Sequence, residues 1–272
     1  MPTVGGLTTG VNAIASLNGE IYAGGHDVLG TADLAVWNGA AWAPVSLPDH
    51  GNGGSRVRDL GVHNNALYVA GEFDQPNPND YIGVLSVEGN TRILRGAVGA
   101  GTATERSAVH MFLLSDTLYL GGTFQDVNGV PAQSLARYSG GNWSAVAPAD
   151  SSIDSELLTC TVFDGALVVG GCARVLGGTE VKGIARTIDG RTFTPMGEGF
   201  AGGIYGGEVR DTVIHEGSLY AMGNFQASGA TGVNNAARWD GAAWQLLGAG
   251  VGDNGPLSDD FVNVLAGCST PQ

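Results

Sequence analysis

Five segments of this chain repeat one short strand, and that repetition restricts the fold more than any other feature of the sequence. The strand reads Ile21-Tyr22-Ala23-Gly24-Gly25, Leu67-Tyr68-Val69-Ala70-Gly71, Leu118-Tyr119-Leu120-Gly121-Gly122, Leu167-Val168-Val169-Gly170-Gly171 and Leu219-Tyr220-Ala221-Met222-Gly223, with successive copies 46, 51, 49 and 52 residues apart. A period of this size marks an array of supersecondary units, none of which can bury both of its faces alone. Each copy predicts the same order: an apolar first strand, a tight turn, the anchor strand, a loop rich in Gly, Asn and Asp, a third strand, and a second hairpin leading into a fourth. Radially stacked four-stranded meanders satisfy that pattern. The expected fold class is therefore all-β, a β-propeller of five four-stranded blades. One domain over 1–272 is expected, with repeats at about 11–52, 57–104, 108–150, 157–203 and 209–252. Val262-Asn263-Val264-Leu265-Ala266 repeats Val11-Asn12-Ala13-Ile14-Ala15, which predicts a partial sixth copy over 261–268. That strand either closes the ring or offers an edge for self-association, with six blades if another chain completes the assembly.

Turn chemistry supports the meander. Asn18-Gly19, Asn64-Asn65, Asp164-Gly165 and Glu216-Gly217 precede the anchor strands, where two-residue hairpins need positive φ. The second hairpin is marked by Trp37-Asn38-Gly39-Ala40-Ala41-Trp42 and Trp239-Asp240-Gly241-Ala242-Ala243-Trp244, and more weakly by Tyr138–Trp143 and Ile188–Phe193. The second copy keeps only Glu88-Gly89 there, so its blade is expected to be the least regular.

Ala237-Arg238-Trp239-Asp240-Gly241, Ala136-Arg137-Tyr138 and Ile184-Ala185-Arg186, taken with the Leu-Tyr-Val-Gly-Gly anchors, resemble kelch-like repeats of the galactose-oxidase central-domain type. Closest is the extracellular subset found in bacterial surface proteins and fungal cortical markers. The resemblance implies a propeller at the cell surface or outside the cell. It implies no particular activity, because propellers host unrelated ones. No tyrosine and histidine copper set like that of galactose oxidase is evident.

Composition narrows the partners. A net charge of −14, with Lys182 as the only lysine, repels phosphate backbones and anionic bilayers. No apolar run reaches the roughly 20 residues of a membrane-spanning helix, and Met1–Gly10 has neither the basic region nor the apolar core of a signal peptide. Cys160, Cys172 and Cys268 are too few for a disulfide-built scaffold, and a Cys160–Cys172 bridge is placed off register.

The chain holds no nucleophile elbow, phosphate-binding loop or zinc-type cysteine pair. The residue after each anchor strand varies while its neighbours repeat: His26, Glu72, Thr123, Cys172 and Asn224. These are the candidate binding residues, on loops expected to share one face, and His, Glu and Cys there are metal-ligating types. Arg58, Asp59, Arg210 and Asp211 lie on first strands and are candidates to line a central channel, or to pair among themselves. Asp74, Asn77, Asn79 and Asp80 are weak calcium candidates, as are Asp126-Val127-Asn128-Gly129 and Asp253-Asn254-Gly255, although such residues also build ordinary turns. Calcium is the one cofactor considered. The expected function is a non-catalytic recognition or adhesion module binding a glycan or a protein through its loop face. The alternatives are a self-assembling surface protein and a glycan-active hydrolase or lyase using Glu72 and His26.

Overall fold

The computed structural model describes residues 6–7, 10–47, 56–73, 81–88, 91–99, 107–114, 117–132, 134–146, 157–176, 178–203 and 206–251. Every regular element among them is a β-strand. The chain divides into two compact units, Met1–Pro131 with Ala136–Ser144, and Ala132–Leu135 with Ala145–Gln272.

The first unit begins with β1 (Val11–Leu17), β2 (Glu20–Leu29), β3 (Ala32–Trp37) and β4 (Trp42–Pro44), paired in sequence order. The second meander is β5 (Arg56–His63), β6 (Ala66–Phe73), β7 (Tyr81–Glu88) and β8 (Thr91–Gly99). The third has β9 (Ser107–Leu114) and β10 (Thr117–Thr123), then a small hairpin of β11 (Asp126–Val127) and β12 (Val130–Pro131), and finally β13 (Leu135–Ser139) and β14 (Asn142–Ala145). Strand β11 pairs with β8, Asp126 opposite Gly99, so the second sheet grows to six strands.

The second unit repeats the scheme. Its first sheet is β15 (Leu157–Phe163), β16 (Ala166–Gly171), β19 (Ile184–Thr187) and β20 (Thr194–Pro195), with the hairpin β17 (Val175–Leu176) and β18 (Thr179–Glu180) inserted. Its second is β21 (Glu208–His215), β22 (Ser218–Asn224), β25 (Ala236–Trp239) and β26 (Trp244–Leu246), with the hairpin β23 (Ala227–Ser228) and β24 (Thr231–Gly232). Ala201, beyond β20, bridges to Ala227 and ties the two sheets as β11 ties those of the first unit. Each expected repeat thus holds one antiparallel meander. The Gly/Asn loops of the last three copies are short hairpins rather than open loops.

The first turns follow the sequence expectation. Both central residues have positive φ at Asn18 and Gly19 (54° and 82°), Asn64 and Asn65 (47° and 58°), Asp164 and Gly165 (50° and 71°), and Glu216 and Gly217 (47° and 72°). The second turns use a different device. The Oδ1 atoms of Asn38, Asp189 and Asp240 each accept the backbone N–H groups two and three residues on. The N–H groups of Thr192 and Arg191, with the Thr187 hydroxyl, hold the Asp189 carboxyl well below the usual carboxylate range.

In the second meander β6 and β7 pair without interruption from Leu67–Val87 to Phe73–Tyr81, whereas the β7–β8 hairpin, where the aromatic pair is missing, carries a register shift between Val84 and Leu85. Val84, Leu85 and Val87 are at most 6% exposed and supply apolar surface there.

A bulge absent from the sequence reading recurs in every first strand. Register shifts fall between Val11 and Ala13, Val57 and Asp59, Ala108 and His110, Leu157 and Thr159, and Val209 and Asp211. The extra residue is Asn12, Arg58, Val109, Leu158 or Arg210, and it re-aims the residue that follows.

Neighbouring meanders meet where a valine of one enters the glycine gap of another. In the first unit a side chain at Gly24 would collide with Val57, which packs with Leu34, Leu60 and Leu67. In the second, Gly170 receives Val209 within a cluster that includes Phe200, Phe225, Trp239 and Trp244. The outer strands are fastened by indoles. Trp143 Nε1 donates to the Arg95 carbonyl at 2.6 Å, and Trp244 Nε1 to the Met196 carbonyl at 3.0 Å, each 48 residues back. A Cβ at Gly96 would lie 2.7 Å from Trp143 Nε1, so that position has to be glycine for the ring to seat.

Replacing Trp244 by Phe keeps most of the apolar area and removes one of two hydrogen bonds to the Met196 carbonyl, which still accepts the Gly199 N–H. We expect a loss of about 0.5–1.5 kcal/mol in urea unfolding, and about 3–5 kcal/mol for Trp244→Ala. A Trp244→Phe variant as stable as the wild type would show that the indole N–H contributes nothing.

Candidate functional site

The variable residue after each anchor strand lies at the end of an inner hairpin, where the bulge also falls. In the second meander Glu72 stands opposite Arg56, and Arg58 donates from Nε and Nη2 to Glu72 Oε1 at 3.1 and 2.6 Å. Both side chains are about one third exposed, at 35% and 34%. In the last meander the acid changes strands. Asn224 stands opposite Glu208, and Arg210 Nη2 donates to Glu208 Oε2 at 3.1 Å, with Glu208 only 4% exposed. The same arginine position is thus balanced from the second strand in one copy and from the first strand in another.

Several sequence expectations change here. Arg58 pairs with Glu72 and Arg210 with Glu208. The bulge separates the directions of consecutive side chains, so Asp59 and Asp211 reach toward the adjoining first strand. Asp59 accepts the Leu60 N–H at 2.8 Å and, across the seam, the Met111 N–H at 2.6 Å. Asp211 accepts the Thr212 N–H at 2.8 Å and the Thr159 hydroxyl at 3.4 Å. In the first meander Asn12, a bulge residue, donates to the Val57 carbonyl at 2.8 Å. These residues fasten first strands to one another. Asn224 is 2% exposed, with its Oδ1 against Gly203, so it is a packing residue and not a water-facing ligand. Thr123 ends β10 opposite Ser107, and its side chain lies outside the described residues. Cys172 is half-buried just past β16, and Cys160 stands opposite Val169, so no bridge joins those two cysteines. The calcium candidates Asp74, Asn77, Asn79 and Asp80, and the Asp253 loop, lie outside the described residues. So do Cys268 and the sixth-copy strand over 261–268. In the remaining calcium candidate, Asp126 Oδ1 accepts the Gly129 N–H and Asn128 bonds the backbone of Ala97 and Arg95, which is turn and seam chemistry.

His26 sits in a constellation that the sequence did not reveal. Strand β2 pairs Gly24 with Leu34 and then Leu29 with Ala32, so the residues between are thrown out of register against Asp33 alone. Asp27 takes a positive φ of 50°, and its N–H donates to Asp33 Oδ1 at 2.8 Å. His26 Nδ1 lies 3.4 Å from Asp33 Oδ1, and His26 Nε2 lies 3.6 Å from Asp27 Oδ2. Asp33 is 7% exposed, whereas His26 and Asp27 keep 42% and 46% of their side-chain surface. One ligand atom from each residue falls within 4.8 Å of the others, a set able to hold a metal. The signal was the Gly30-Thr31 turn. Counting back from it places Asp33 beside His26 and Asp27, but the long-loop reading of this segment hid that pairing.

His110 follows the third bulge, with Nδ1 3.8 Å from Asp59 Oδ2. Although 37% of its side-chain surface is open, the dense packing around the ring desolvates it and lowers its pKa to about 4.

No family model matches the chain, and no curated protein matches it. Among solved structures the chain is similar to YjhT, at 13% identity and a TM-score of 0.49, over 87% of this chain and 82% of that one. The fold described above rests on the sheets themselves.

The His110 shift has a sign. Between about pH 6.5 and pH 4 the unfolded chain binds a proton at this residue and the folded chain does not, so stability falls as pH falls through that window. Urea unfolding at stepped pH should show a shallower loss in His110→Gln than in the wild type. Identical slopes would remove His110 as the cause.

Proposed function

We propose that the five meanders are blades of one kelch-like propeller, and that it serves as a non-catalytic, extracellular recognition module for a glycan. The observation that supports this reading is the contrast between scaffold and inner-hairpin ends. The first turns and the bulges recur from copy to copy, and the indole bond recurs at Trp143 and Trp244, while the residue after the anchor strand varies and is partly exposed at His26, Glu72 and Cys172. Half-exposed arginine–carboxylate pairs such as Arg58–Glu72 present forked donors beside acceptors, the complement of neighbouring sugar hydroxyls. Such pairs are already held in place by each other, so less side-chain freedom is lost on binding.

Glycan-array screening followed by calorimetry on the leading hit tests the proposal. The Arg58→Ala/Glu72→Ala double variant should bind at least about tenfold more weakly. Unchanged affinity would remove the inner-hairpin ends as the site. A wild-type chain that binds no glycan, and instead captures a protein ligand, would replace the glycan reading.

A second reading, self-assembly, has its own observation. Val11 and Ile14 are 38% and 66% exposed in the first meander. Their counterparts Val57 and Val209 are fully buried, and Leu60, Met111 and Thr212 are 7%, 7% and 8% exposed. An apolar surface that is covered in the second and last meanders is left open in the first, and a second copy of this chain would cover it. Light scattering over a concentration series should show an oligomer that Ile14→Asp dissociates. A monomer at every concentration would end this reading.

A further inference from the structure

We propose that His26, Asp27 and Asp33 bind a divalent first-row transition-metal ion, with zinc the favoured metal, at the end of the first inner hairpin. The inference does not depend on the recognition reading, since it concerns the ion alone.

Charge comes first. Three acids on strands face guanidinium groups, Glu72 with Arg58, Glu88 with Arg95 and Glu208 with Arg210, whereas Asp59 meets the His110 imidazole. Asp33 is as deeply buried as Glu208, yet its ion-pair contact is with an imidazole, and its one hydrogen-bond donor is the Asp27 N–H. A carboxylate that is 93% withdrawn from water, beside a second carboxylate, in a protein of net charge −14, carries an electrostatic cost that a cation relieves.

Geometry comes second. Ligand atoms about 2.1 Å from a tetrahedral ion lie about 3.4 Å from each other. His26 Nδ1 and Asp33 Oδ1 are 3.4 Å apart. Asp27 completes the set from the open side, with its carboxylate within 4.8 Å of the others and nearly half exposed. Closing that gap needs only a side-chain rotation. The irregular β2–β3 pairing holds His26 and Asp27 against Asp33, so the backbone already sets the spacing.

The donor types choose the metal. One nitrogen and two carboxylate oxygens suit zinc and its first-row neighbours, whereas calcium takes oxygen alone and six to eight of them. With three protein ligands a fourth position stays open to water or to a ligand atom, as in zinc sites that act on bound molecules.

The test uses the full chain stripped with a chelator and titrated with zinc, manganese or calcium ions in separate calorimetric runs. We expect one zinc per chain, with calcium weaker by at least about tenfold. His26→Ala and Asp33→Asn should each weaken zinc by at least about tenfold. Asp27→Asn tolerates the same left-handed backbone and removes only the charge, so it should weaken zinc while leaving the circular dichroism spectrum unchanged. Should Asp33→Asn fail to fold, His26→Ala and Asp27→Asn carry the decision. No zinc uptake by the wild type, or uptake unchanged in the His26→Ala/Asp27→Asn double variant, would overturn the site. So would binding of calcium in preference to zinc.

Discussion

The first strands are tied to one another through their bulges, and the rest of the architecture depends on that tie. A bulge leaves backbone groups without ladder partners, and a side chain from the neighbouring strand takes them up. Asn12 reaches the Val57 carbonyl, Asp59 takes the Met111 N–H, and Thr159 meets Asp211 and Thr212. A tie placed two or three residues into each first strand fixes the separation of adjacent sheets at their inner edge. That separation is what lets Val57 enter the gap at Gly24, and Val209 the gap at Gly170. The indole bonds of Trp143 and Trp244 then set the same spacing at the outer edge. Polar bonds at both edges give the register, and the apolar contacts between them supply most of the stabilisation.

The all-β class, the meander boundaries and the first turns were legible because each rests on local chemistry. Positive φ at Asn18-Gly19 or Asp164-Gly165 follows from residue type alone, and period-2 apolar strands follow from the anchor sequences. The bulge was not legible. It inserts one residue without a distinctive type, since Asn12, Arg58, Val109, Leu158 and Arg210 share nothing but position. Missing it shifts every side-chain direction upstream, which is why the contacts of Asp59 and Asp211 with the adjoining first strand were not legible. The second meander, which lost its aromatic pair, carries a register shift between Val84 and Leu85 in the β7–β8 pairing, while Val84, Leu85 and Val87 keep that strand buried with smaller side chains.

Of the candidate site, position was readable and environment was not. A residue that varies within a repeating frame identifies the ends of the inner hairpins. Whether such a residue faces water depends on what lies across from it. Glu72 remains half-exposed because its partner Arg58 is itself at the surface. Asn224, at the equivalent position, is sealed beneath Gly203. No property of asparagine or glutamate predicts that difference. In the last copy it follows from the glycine-rich segment before β21, about twenty residues back, whose Gly203 lies against Asn224.

The distribution of countercharge links these observations to chemistry. With so few cations, the chain places arginine where an acid must be partly buried, and Glu208 shows how completely one guanidinium can permit burial. Asp33, like Asp59 beside His110, has an imidazole as its ion-pair contact instead. Its burial is enforced by the short β2–β3 return, which leaves room for an imidazole and a second carboxylate but brings no guanidinium. Stability alone would favour an apolar or amide residue there, since an Asn side chain could still accept the Asp27 N–H without carrying charge. A buried carboxylate kept where a neutral isostere would serve the fold is better explained by a cation it binds than by the hydrogen bond it accepts.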